Sequence, residues 1–284
     1  MTFPDGFLWG TATAAHQVEG ENDNNDWWAW EQTPGHIKRG DKSTVACDWW
    51  RGERYRDDFD LAQALHQNAH RLSVEWSRIE PRAGEWNVSA IAFYRRVLTA
   101  LRERGMTPLV TLHHFANPLW LREQGAWETE AIVPLFERFA ACVAQELGDR
   151  CDFWVTFNEP MVYTYTGYVN GNWTPGKKDS GLAMRVLTNV LRGHAAAYHA
   201  IHRVQPNARV GLAHNILAFK PVNPDSALNR AVARLQDYAY NRVFLLALQD
   251  GRIRFPMGMG GRVPEAVGTQ DFIGLIFISR DASR

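Results

Sequence analysis

The sequence predicts an α/β fold built on a parallel sheet, and three observations carry that expectation. Short apolar runs rich in β-branched and aromatic residues alternate with longer segments of helical period. Each run is bounded by Gly, Pro, Asn or Asp, the residues that punctuate strands. No Gly/Ser linker or low-complexity tract interrupts the alternation, so residues 1–284 read as one domain.

The first strand is expected in GFLWGTATA (6–14). The segment after it is AAHQVEG (14–20), not a Gly-rich phosphate loop, which leaves a nucleotide-binding sheet with little support. YRDDFDLAQALHQ (55–67) spaces Phe59, Leu61, Ala62 and Leu65 as a helix would, and AHRLSVEW (69–76) is the second strand. SAIAFYRRVLTALRERG (89–105) sets Ile91, Tyr94, Val97, Leu98 and Leu101 on one stripe and stops at Gly105. TPLVTLHH (107–114) and DFWVTFN (152–158) are the third and fourth strands. A helix from Leu182 to Val204 stops before Pro206, and ARVGLAHN (208–215) follows as the fifth strand. Another helix runs from Ala227 to Leu248, ending near Gly251, before DFIGLIFI (271–278) as the sixth strand. Strand followed by helix, repeated, means right-handed βαβ units: five full units and a sixth strand.

A doubly wound open sheet and part of an eight-stranded βα barrel both fit that order. The barrel expects polar residues at the carboxyl ends of its strands. Gln17 follows the first strand, Glu75 and Trp76 close the second, and His113 and His114 the third. Asn158 and Glu159 close the fourth, His214 and Asn215 the fifth. Five consecutive strands ending this way make a site, so the expected class is a (β/α)8 barrel of the TIM type, incomplete in this chain.

Composition excludes several functions. With 31 basic and 31 acidic residues the formal charge is zero, so there is no basic field to hold nucleic acid or anionic lipid. The longest clean apolar runs, such as VFLLAL (243–248), are too short to span a bilayer. MTFPDGFLWG lacks the basic and apolar regions of a secretory signal. Cys47, Cys142 and Cys151 are few, odd in number and scattered, which suits a reducing cytoplasm. Twelve Trp residues supply flat apolar faces that stack on sugar rings, and they also suit the core of a large α/β domain.

The strand-end groups are amides, imidazoles, carboxylates and indoles, an inventory for a neutral polyhydroxylated ligand. A carboxyl beside indoles and away from water holds its proton and can act as a general acid. Glycoside cleavage needs such an acid and a second carboxylate, about 5–5.5 Å away for retention or about 6.5–9.5 Å for inversion.

VTFNEP (155–160), AAHQVEG, RLSVEWSRIEP (71–81), LHHFANP (112–118), NWTPG (172–176) and DFIGL (271–275) occur together, in this order apart from the first. As a set they resemble glycoside hydrolase family 1, the β-glucosidase family, over the chain from Phe3 to about Leu275. The resemblance implies a retaining enzyme on a (β/α)8 barrel, acting on small β-glycosides or oligosaccharides with no metal or organic cofactor. On matching positions Glu159 is the acid/base carboxyl and Asn158 bonds the sugar 2-hydroxyl. Gln17 and His114 hold hydroxyls further round the ring, and Arg71 lies beneath the site and holds the ionised nucleophile. His113 and His114 do not make a metal pair, because adjacent strand residues point to opposite faces. Glu75 falls at a position the family does not use for attack and reads as structural. His194, His199 and His202 share one helix without the HExxH spacing and read as surface or packing residues.

The chain departs from the family near its end. The family's (I/V)TENG segment, which carries the nucleophile, has no counterpart, and Glu265 is the only Glu after Glu159. Where the family usually reads DFIGLNYY, Ile276 and Phe277 replace the Asn and Tyr. A C-terminal truncation after about the sixth strand is the expectation, with weak or no activity in the isolated chain. Three readings remain: a β-glycosidase by descent, a carbohydrate-binding pseudo-enzyme, and a half-barrel that assembles through its open edges to complete a site.

Overall fold

The computed structural model describes residues 2–256, 258 and 260–277. One parallel sheet contains β1 (Gly10–Ala12), β2 (Ala69–Ser73), β3 (Thr107–His113), β4 (Phe153–Asn158), β5 (Arg209–Ile216) and β6 (Phe272–Phe277). The spatial order is the chain order, β1-β2-β3-β4-β5-β6. A doubly wound sheet reverses direction at its switch point; this one advances one strand at a time, as a barrel wall does. β1 and β6 are its two edges, so the six strands form a curled, incomplete barrel. Ile278, the last residue of the expected sixth strand, lies outside the described residues.

Helices cover the outer face. Val88–Glu103 buries Phe93, Tyr94, Val97, Leu98 and Leu101, and the Asn87 side chain caps it by accepting from the Ser89 and Ala90 amides. Ser180–Val204 is capped by Asp179, which accepts from the Leu182 amide. Ile132–Leu147 was not among the helices read from the sequence, although Ile132, Phe136, Phe139, Ala140 and Val143 form its buried stripe. It packs along Ser180–Val204, whose Gly193 faces the 3-10 turn Ala126–Glu128: a Cβ there would lie 2.7 Å from the Trp127 ring. The expected helix 227–248 is Ala227–Asp237 and Val243–Asp250, joined by a π turn over Tyr238–Arg242. It ends at Gly251, whose φ of 71° is the left-handed stop.

Three local expectations change. The strand at 6–14 shortens to three exposed residues, since β1 is an edge paired only with β2. Trp76 leaves its strand to open the short helix Trp76–Ile79, where its indole N–H donates to Glu80. In Tyr55–Ala64 the buried stripe is Tyr55, Phe59 and Ala62; Leu61 lies about 200° round the helix from Phe59 and is 65% exposed.

The two edges expose apolar surface. Ile273, Leu275 and Phe277 of β6 are 38%, 61% and 67% exposed. Phe3, Phe7 and Trp9 next to β1 meet in tilted and edge-on pairs at centroid distances of 4.6–4.7 Å and are also exposed.

Candidate active site

The site is organised by a bulge at the end of β4. Val155 pairs with Gly211, yet Asn158 pairs with Ala213, so three steps along β4 match two along β5. A bulge re-aims side chains that a regular strand would send to opposite faces. Glu159 then turns out of the strand at φ 48°, ψ 64°, a left-handed conformation that costs a non-glycine residue roughly 1–2 kcal/mol. Pro160 opens the helix Pro160–Thr164 and disfavours the right-handed helical conformation for the residue before it. The Glu159 amide donates to the Ala213 carbonyl at 2.7 Å, fixing the turn to β5. Bulge and turn together leave Asn158 and Glu159 facing each other: Asn158 Nδ2 donates to Glu159 Oε2 at 3.3 Å.

Neighbouring strands complete the group. Arg71 of β2 donates through Nη2 to Asn158 Oδ1 at 2.6 Å and through Nε to Thr111 Oγ1 at 2.9 Å. Asn215 of β5 donates through Nδ2 to Glu159 Oε1 at 3.1 Å, and Tyr240 donates its hydroxyl proton to Asn215 Oδ1 at 3.0 Å. Asn158 and Glu159 are 3% and 7% exposed, so these bonds form away from water. Burial raises the Glu159 carboxyl above its ordinary range, opposed by the Asn215 bond, the Arg71 charge and the Asn158 bond. Burial lowers Arg71 to about 10, which still leaves it charged at neutral pH. Among the described residues no second carboxylate is ion-paired with Arg71 or bonded to this group.

The adjacent histidines part company. His113 packs against Trp127, Phe136, Phe157 and Tyr163 on the helix side, and its Nε2 meets Asn117 Oδ1 at 3.2 Å. His114 feels the Arg71 charge and lies beside the Phe115 ring. Burial, with Arg71 and His113 adding, brings His114 down to about 3, so its imidazole is neutral and can both donate and accept. From His114 a strip of half-buried rings leads along the rim: Phe115, Trp173 at 5.0 Å, then Trp27 at 5.3 Å. Trp27 reaches His16 at 6.4 Å, the neighbour of Gln17. Gln17 itself sits on the short helix Ala15–Val18 after β1, with an exposed side chain that makes no hydrogen bond to the other four residues.

The remaining polar residues go elsewhere. Glu75 is buried and accepts from Asn22 Nδ2 and Ser77 Oγ, both at 2.9 Å. Glu265 is exposed, and its carbonyl meets His199 Nε2. His194 is fully buried between Thr156 Oγ1 and the Thr269 carbonyl, while His202 meets Asp271 at 3.0 Å. His214 turns to the Asn241 carbonyl. The structure thus joins Arg71, His114, Asn158 and Glu159, and it adds three partners to which no role was given from sequence. Of these, Asn215 was legible as a polar strand end. Thr111 and Tyr240 carried no signal.

A parallel βα half-barrel with a buried carboxyl held by two amides at the carboxyl ends of its strands places the chain in the TIM-barrel class of folds. The family model for glycosyl hydrolase family 1 matches residues 1–261, and the chain belongs to that family. Beta-glucosidase A of Thermotoga maritima is 32% identical over 98% of this chain, and the 1,4-beta-D-glucan glucohydrolase of Thermotoga neapolitana 30% identical over 98%. The structure superposes on the beta-glycosidase from Pyrococcus horikoshii with a TM-score of 0.88 at 38% identity, covering 97% of this chain. The Thermotoga maritima beta-glucosidase solved in complex with castanospermine gives a TM-score of 0.88 at 30% identity. The chain spans 65% of the length of Beta-glucosidase A and 62% of the Pyrococcus chain.

Proposed function

We propose that this chain carries the acid half of a retaining β-glycosidase site. Glu159 protonates the leaving oxygen of a small β-glycoside, and as carboxylate it later activates water. Asn158 bonds the sugar 2-hydroxyl, His114 and Gln17 hold hydroxyls further round the ring, and Arg71 balances a carboxylate on the opposite side. The observation that carries this reading is Glu159 itself. Burial favours its protonated form, while the Asn158 and Asn215 amides and the Arg71 charge support its ionised form. A group balanced in this way can serve as acid and then as base. The strip of rings from Phe115 to Trp27 supports a sugar ligand, since indole faces stack on sugar rings.

Retaining cleavage also needs a carboxylate to attack. Glu75 is tied to Asn22 and Ser77 and Glu265 is exposed, so neither takes that part. The 284-residue chain alone therefore turns over β-glucosides weakly or not at all, and its exposed edges favour self-association. Castanospermine, the ligand of the Thermotoga relative, tests the reading: calorimetric titration should show binding that His114→Ala weakens at least tenfold. No binding at millimolar concentration would overturn it.

A further inference from the structure

We propose that Tyr240 is a positioning residue for Glu159, acting through the side-chain amide of Asn215. The π turn Tyr238–Arg242 interrupts a helix 25 residues along the chain from Asn215, and π turns redirect side chains where an α-helix would not. This one is clamped to the end of β5. Asn241 accepts from the Leu217 amide at 3.0 Å and donates to the Leu217 carbonyl at 2.8 Å, while its own carbonyl meets His214 Nε2 at 3.1 Å. Asn215 lies between those two anchors and is 3% exposed. The Tyr240 ring rests edge-on against Phe219 at 5.9 Å, which aims its hydroxyl at Asn215 Oδ1.

A primary amide can present either end to a carboxyl. Its N–H end stabilises a carboxylate, and its oxygen end stabilises the protonated acid. Tyr240 has one hydroxyl proton, and donating it to Oδ1 leaves Nδ2 as the end that faces Glu159. Without that donor the amide can turn by half a rotation and accept the Glu159 proton instead. Tyr240 therefore keeps Glu159 able to release its proton despite burial. The other groups facing Glu159 are Asn158 on β4 and the Arg71 cation on β2, with neutral His114 beyond Arg71 at the end of β3. The inference rests on Glu159 being the acid/base group, but its test needs no turnover.

Side-chain carboxyl resonances of ¹³C-glutamate-labelled chain, with Glu159→Gln to assign the signal, report the titration of Glu159 directly. Tyr240→Phe should raise its midpoint by about one pH unit, the scale of one hydrogen bond to a charged group. Asn215→Ala should raise it similarly, and adding Tyr240→Phe to Asn215→Ala should then change nothing further. An unchanged midpoint in Tyr240→Phe, or an equal shift on top of Asn215→Ala, would overturn the proposal. The unsubstituted chain offers a second readout, independent of how the variants fold. The Asn215 side-chain amide signals should follow the Glu159 titration, and indifference to it would likewise overturn the proposal. A chain that shows the relay yet binds no castanospermine at millimolar concentration would remove the functional reading and leave the relay standing.

Discussion

Asn117→Ala probes the buried hub beneath the His113–His114 turn. Asn117 is fully buried, and its Nδ2 donates to Asp26 Oδ2 at 2.9 Å and to the Tyr163 hydroxyl at 3.1 Å. Its Oδ1 accepts from Trp127 Nε1 at 3.0 Å and faces His113 Nε2 at 3.2 Å. Truncation strands these partners, and each unmet buried group costs roughly 1–3 kcal/mol. His113 can change tautomer and the Tyr163 hydroxyl can turn, so the Trp127 N–H and the Asp26 carboxylate dominate. Their sum is about 2–6 kcal/mol, a large part of the roughly 5–15 kcal/mol that stabilises a domain. Urea unfolding should show a lower midpoint at unchanged slope, beside Asn87→Ala, a cap loss worth about 1 kcal/mol, as reference. The effect also carries a pH signature. Burial raises Asp26 to about 7, against its two bonds from Asn117, from an ordinary value of 3.8. The native state thus holds that proton more tightly than the unfolded chain, and stability falls as pH rises from about 4 through about 7. Losing the Nδ2 donor raises Asp26 further, so Asn117→Ala should cost more at pH 8 than at pH 5. A loss no larger than that of Asn87→Ala, or one that shrinks as pH rises, would refute the reasoning.

Two further outcomes follow from packing. Gly193→Ala puts a Cβ 2.7 Å from the Trp127 ring and should lower stability by roughly 1–3 kcal/mol in thermal melts; a neutral substitution would mean that the helix can move away freely. Leu275→Lys combined with Phe277→Lys places charge on the uncovered face of β6 and should shift sedimentation toward monomer, whereas an unchanged distribution would locate self-association elsewhere.

The βα alternation was legible because most strands and helices follow from local period, Ile132–Leu147 excepted, and polar strand ends pointed to the candidate site. Arg71, His114, Asn158 and Glu159 could be paired by motif; Arg71, Asn158 and Glu159 are joined by hydrogen bonds, and His114 lies within range of the Arg71 charge. The bulge in β4 was not legible, because its extra residue exists only relative to β5. Tyr240 was invisible for a related reason: a π turn obeys no 3.6-residue period, and its partner lies on another element. Leu61 misled because its four-residue partner is Leu65, and the two share the exposed face while Phe59 and Ala62 share the buried one. Gln17 shows the limit of matching by motif alone, since its side chain stands exposed at the rim, away from the bonded cluster.

The central claim is that Glu159 is the acid and that, among the described residues, no carboxylate is placed to attack. The anomeric configuration of the product formed from an aryl β-glucoside with azide present, read by proton NMR, tests it most directly. Azide then forms the bond to the anomeric carbon as the bond to the aryl oxygen breaks, and Glu159 gives its proton to that oxygen. A single displacement inverts, so the account predicts α-glucosyl azide, little turnover without azide, and slower release of poor leaving groups in Glu159→Gln by about 10²–10⁴-fold. Ordinary azide-independent turnover giving β-glucose as the first product would contradict it, because such retention requires a nucleophile already present in the chain.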